Sequence, residues 1–181
     1  MRRLVSAISV AAVLVAVLAG PAGAAAPRTA AAIPAPHSGP AVLVATINGG
    51  GTANMDDGMG TSVWGVGVKL FSDGSASGQF DCVDQHGDAP GYPGNIWGQV
   101  TSWSIDPVDG SIVLNVSGKF VPIPGGHPSA VPFVVKIQRF GGTGVGHWTL
   151  AVPDGSGGWF TVCFETLISG QIVEKDIYKN S

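Results

Sequence analysis

The stretch Trp64-Gly65-Val66-Gly67-Val68-Lys69-Leu70, followed by Asp73-Gly74, decides the fold. Apolar side chains recur at every second position, with Trp64, Val66, Val68 and Leu70 on one face and Gly65, Gly67 and Lys69 on the other. A period of two marks a strand with one face in a core. Asp and Gly tolerate the backbone angles of a tight reversal, so Asp73-Gly74 reads as a hairpin turn. The same pattern repeats outward from here. Ile112, Leu114 and Val116 alternate with Ser111, Asn115 and Ser117, and Phe133, Val135 and Ile137 alternate with Lys136 and Gln138. Trp148, Leu150 and Val152 alternate with His147 and Thr149, and Phe160, Val162 and Phe164 with Thr161 and Glu165. Asp109-Gly110 and Asp154-Gly155 supply further turns. Weaker strands fall at 42–47, 79–83, 96–105 and 168–177.

Eight or nine strands, with no helix to cover a sheet, predict an all-β fold. The favoured form is a single small antiparallel β-barrel of about eight strands, and a β-sandwich is the alternative. Glycines inside strands, such as Gly65, Gly67, Gly98 and Gly118, favour the barrel, because tight coiling leaves little room for side chains. The glycine runs Gly49-Gly50-Gly51 and Gly141-Gly142-Thr143-Gly144 read as turns or bulges. They are not phosphate loops, since neither Lys-Ser/Thr nor a helix start follows.

The first two dozen residues have a different character. Met1-Arg2-Arg3 is positive, residues 4–18 are almost wholly apolar, and Pro21 precedes the small residues Ala22-Gly23-Ala24. This is the pattern of a secretory signal peptide, too short to span a bilayer comfortably. The organisation expected is a signal peptide over 1–26, an extended leader over 27–40 carrying Pro27, Pro34, Pro36 and Pro40, and the β domain over 41–181. The protein is thus expected to be secreted, with no membrane span after cleavage.

Charged residues make up only 12% of the 181-residue chain. Loss of Arg2 and Arg3 leaves seven basic against twelve acidic residues, a net charge of −5. With no basic cluster, nucleic acid and anionic membrane surfaces are excluded as expected partners. Cys82 and Cys163 are the two cysteines. In an exported chain an even count favours one disulfide, with two buried free thiols as the other reading. Such a loop closure would stabilise by about 4.5 kcal/mol on the chain-entropy model. Two isolated cysteines lack the paired spacing of a zinc site.

Candidate chemistry is sparse. Asp81, Asp84 and Asp88 lie close enough along the chain to be weak candidates for a cation site, although their spacing matches no calcium loop. Glu165, beside Phe164 in an apolar strand, would act as acid or ligand anchor if it faced a lumen; alternation favours an outward, solvated position. His147, next to Trp148, is a weak candidate base with a surface position favoured. Trp97 and Trp103, with Gln99 and Thr101 between them, share one strand face by parity and form a candidate ligand platform that Tyr92 could join. No nucleophile elbow occurs, and no cofactor is expected.

The residues Gly49-Gly50-Gly51, Trp64-Gly65-Val66, Ser77-Gly78-Gln79-Phe80 and Ile96-Trp97-Gly98-Gln99-Val100-Thr101-Ser102 carry a resemblance over most of the mature chain. In these the chain resembles small secreted β-domain proteins of actinobacteria, which implies a bacterial exoprotein but no site residues. In architecture it is also similar to the small barrels of the dirigent and allene-oxide-cyclase type, which enclose an apolar ligand.

The function expected is a secreted, monomeric, non-enzymatic binding module for a small apolar or carbohydrate ligand. The alternatives are a barrel isomerase or hydrolase using a lumen-facing Glu165 or His147, and a structural or inhibitory exoprotein acting through loops 90–94 and 122–128. Protein recovered from culture medium should begin just after residue 24 or 26, and its intact mass checks this.

Overall fold

The computed structural model describes residues 40–58, 60–84, 94–123 and 125–176. Residues 1–39, read above as signal peptide and leader, and also Asp88 and Tyr92 lie outside the described residues. Within the described residues the strands are β1 (Leu43–Met55), β2 (Thr61–Phe71), β3 (Ala76–Asp84), β4 (Gly94–Ile105), β5 (Ile112–Pro122), β6 (Ser129–Arg139), β7 (Gly141–Gly142), β8 (His147–Pro153), β9 (Trp159–Leu167) and β10 (Gln171–Asp176). None of these residues is helical.

Eight of the strands close a ring in the order β1-β2-β3-β4-β5-β6-β8-β9, with β9 returning to β1, and every neighbour is antiparallel. The fold is therefore an antiparallel barrel and not a sandwich. β10 lies outside the ring. It continues along the edge of β1 that β9 has left, pairing Ala45 with Asp176 through Gly50 with Gln171. β7 then adds two residues to the edge of β10.

Three Asp-Gly-Ser triplets build turns of the barrel by one device. The Asp73 carboxylate accepts from the Ser75 N–H at 2.9 Å and hydroxyl at 2.6 Å. Asp154 repeats both bonds with Ser156 at 2.8 and 2.9 Å, and Asp109 accepts from the Ser111 N–H at 3.0 Å. The intervening Gly74, Gly110 and Gly155 have φ of 82°, 75° and 77°, which a side chain would strain. The carboxylate thus takes the place of a backbone acceptor while glycine makes the reversal.

Alternation fills the lumen. Val66, Val68 and Leu70 of β2, Leu114 and Val116 of β5, and Phe133, Val135 and Ile137 of β6 are all buried. Trp148 stands at the centre, its ring 5.7 Å from Trp64 and 5.3 Å from Phe80, and Phe80 in turn meets Phe133 edge-on at 6.0 Å. Tilted aromatic pairs of this kind contribute about 0.5–1.5 kcal/mol each beyond the area they bury.

Glycine acts inside the strands as well. Gly98 pairs with Gly118, and the Phe133 ring packs over Gly118. A Cβ at Gly118 would stand 2.2 Å from that ring and 2.7 Å from the Trp97 carbonyl oxygen. The run Gly49-Gly50-Gly51, read above as a turn or bulge, instead lies within β1. A Cβ at Gly51 would stand 2.2 Å from the Ser169 carbonyl oxygen. Small residues are needed there because the turn from β9 to β10 crosses against β1.

On the outer wall, Lys136 Nζ reaches Asp106 at 2.7 Å and Asp109 at 2.9 Å, tying β6 to the β4–β5 turn. Hydrogen bonding from Lys136, then from Ser111, holds the Asp109 carboxyl down at about 2.

Two outcomes follow from this architecture. Gly118→Ala should lower stability by about 1–3 kcal/mol, as overpacking does, read as a reduced midpoint in denaturant. The second concerns acid. Asp109 binds its proton less readily in the fold than in the unfolded chain, where a carboxyl titrates near about 3.9. Its contribution is therefore complete above that pH and lost as pH falls toward 2. Lys136→Met should destabilise most at neutral pH, and its difference from the parent chain should shrink between pH 4 and pH 2 in unfolding titrations.

Candidate functional site

One end of the barrel forms a mouth, where β3, β5 and β8 finish and β4, β6 and β9 begin. Just inside it is a cavity of about 210 Å³. Ile96, Phe120, Val131, Val152 and Val162 make apolar walls, and Cys82, Cys163 and Asp84 bring sulfur and oxygen to the lining. Parity explains the polar set. Phe80, Cys82 and Asp84 occupy successive inward positions of β3, and Cys163, Glu165 and Leu167 do so on β9.

Glu165 is fully buried (0% exposed) and faces the lumen. This corrects the outward position that alternation favoured. The reason is a bulge where β8 meets β9, between Leu150 and Ala151, which shifts the phase of β9. Beyond it Cys163 and Glu165 turn inward and Phe164, expected in the core, is 51% exposed; Phe160, also expected in the core, precedes the bulge and is 52% exposed at the start of the strand beside Trp159 at 53%.

The Ser62 hydroxyl, itself 1% exposed, donates to Glu165 Oε2. Ser62 sits on β2 opposite Ala53 of β1, and Glu165 sits on β9 opposite Met55 of β1. The bond therefore reaches across β1, and the small side chain of Ala53 leaves it room. Sequence reasoning did not single out Ser62. The available signal was its parity with Trp64, two residues on.

Cys82 and Cys163 are free and buried. The expected disulfide is not present, and the topology gives the reason. The two cysteines are not on paired strands, since β2 and β1 stand between β3 and β9. Both side chains point into the lumen, where the thiols come within hydrogen-bonding reach of each other. The Cys163 thiol is raised well above its usual range, first by hydrogen bonding with the Cys82 thiol, then by burial and by the negative charges of Glu165 and Asp84. It is therefore protonated at neutral pH and inert as a nucleophile.

The remaining candidates separate. Asp84 is 8% exposed and faces the lumen, whereas Asp81 is exposed on the outer face, as their odd spacing requires. Among the described residues no group of three or more His, Cys, Asp or Glu could hold a metal ion. His147 is on the outer wall and not in the lumen. Its Nε2 lies 2.7 Å from Asp56 and its Nδ1 3.1 Å from Gln138. Thr166 also donates to Asp56 at 2.8 Å, so this network ties β6, β8 and β9 to the β1–β2 turn. Burial works to raise the Asp56 carboxyl, but the bonds from His147 and Thr166 and the nearby charges of His147 and Arg139 leave it below the usual range.

The tryptophan platform does not form. A bulge between Val100 and Ser102 turns Trp103 to the face opposite that of Trp97 and Gln99, and its Nε1 donates to the Phe71 carbonyl at 2.8 Å. Trp97 and Gln99 remain together on the outer face, paired with Lys119 and Ser117.

Compared with protein-family models, curated proteins and solved structures, the chain finds no match.

Removing the donor to a buried carboxylate costs about 1–3 kcal/mol. Ser62→Ala should therefore lower the thermal midpoint by several degrees, at about 2–4 °C per kcal/mol for a chain of this size, and calorimetry reads the shift.

Proposed function

We propose that the protein is a secreted, monomeric binding module that takes a small, mainly apolar molecule into the mouth of its barrel. The observation that carries this reading is the 210 Å³ cavity with its apolar walls. For scale, an apolar cavity of about 150 Å³ accepts benzene. A cavity slightly larger suits a substituted ring or a short branched chain, and the mouths of β-barrels are recurrent sites for such ligands. The signal peptide reading supports release into the medium, where a ligand-binding barrel would meet its target.

A lumen acid serving an isomerase or hydrolase is the second reading, and the inward, buried Glu165 favours it. Binding is preferred because Glu165 lies one inward position deeper than Cys163 on β9 and is not part of the cavity lining.

Ethylbenzene is a suitable probe. One molecule per chain should be taken up in calorimetric titration, and Val131→Phe, which places a ring in the cavity, should abolish uptake while the far-UV circular dichroism stays unchanged. No uptake by the parent chain, or uptake undiminished in a folded Val131→Phe protein, overturns the reading.

A further inference from the structure

We infer that the molecule held in the mouth is a small organic amine, with its ammonium group directed at Asp84 and its apolar part against the cavity walls. This rests on the binding reading above and names the ligand class for the same cavity.

The first argument is the charge of the lumen. Among the described residues two carboxylates face it, Asp84 and Glu165, and both are buried. The described basic residues all stand outside. Lys136 and His147 are bonded to aspartates of the outer wall, and the other five are exposed. A cavity that presents carboxylate oxygens while the described basic residues stand outside favours a cationic guest and opposes an anionic one.

The second argument is position. Asp84 lines the cavity, while Glu165, bonded to Ser62 on the strand beside Asp84, contributes its field without being part of the lining. A carboxyl group has several lone-pair sites for accepting hydrogen bonds, so a donor on a ligand can be added to the contacts Asp84 already makes. Among the described residues the other lining groups are apolar side chains, thiols and the Ser129 hydroxyl. A guest with one cationic donor and an apolar remainder matches that distribution. A sugar, which needs many polar partners, does not.

The third argument is size. The ring of benzylamine matches the apolar walls, and its amine accounts for the space beyond a bare ring in a cavity of 210 Å³.

The test compares toluene, benzyl alcohol, benzylamine and benzoate on the full mature chain by calorimetric titration at neutral pH. These share one ring and differ in the polar group. Benzylamine should bind about tenfold to a hundredfold more tightly than toluene, the span expected of a charge-assisted hydrogen bond, and benzoate should bind least. In Asp84→Asn the advantage of benzylamine over toluene should collapse, while toluene itself still binds. If toluene binds and benzylamine binds no better, the amine assignment is overturned and the binding reading stands. If none of the four binds, both are overturned. Because the series is read on the parent chain, the outcome holds even where Asp84→Asn does not fold.

Discussion

The ring closes on a seam of three residue pairs, Ala53 to Met55 of β1 against Leu167 to Glu165 of β9. Every other junction in the barrel is longer. A sheet of eight strands that failed to close here would expose two edges and the whole lumen face, so packing, cavity and mouth all depend on this contact. The seam is short because β1 shares one edge between two partners, β9 near its end and β10 near its start. It is reinforced from inside, where the Ser62–Glu165 bond links the strands on either side of β1, and from outside, where Asp56 gathers His147 and Thr166. A buried carboxylate is a costly group to place in a core. Its position at the weakest junction gives Glu165 a structural reason to be there, independent of any ligand.

Much of the fold was legible because it rests on short-range chemistry. Period-two alternation located the strands from β2 onward, and the Asp-Gly pairs located their turns. Interior glycines pointed to a barrel, and Gly98 and Gly118 do sit where a neighbouring strand or the Phe133 ring leaves no room for a side chain. The errors at the site share one cause. Parity carries information only while the count of residues per pleat stays constant, and a single bulge inverts everything beyond it. The irregularity near Val100 separated Trp103 from Trp97 and Gln99, and the one near Leu150 exchanged Glu165 for Phe164 in the lumen. Neither bulge is marked by a glycine or a proline at its position, so composition offered no warning.

The cysteines failed differently. Cys82 follows the Asp73-Gly74-Ser75 turn and Cys163 the Asp154-Gly155-Ser156 turn at the same distance along the chain, and the two turns share the same pair of Asp–Ser bonds. Local similarity places each cysteine at a like height on its own strand. It cannot specify how many strands stand between them, because that is set by the order of pairing around the ring, a property of the whole chain. The thiols thus take part as small, soft lining for the cavity and as groups that feel the lumen carboxylates.

The pairing of Ala45 with Asp176 brings the first and last described strands side by side, at the end of the barrel away from the mouth. Both directions in which the chain leaves the domain therefore start from one pole, and the cavity opens at the other. The described domain is thus polar in the geometric sense: one end carries both chain exits and the other holds the cavity.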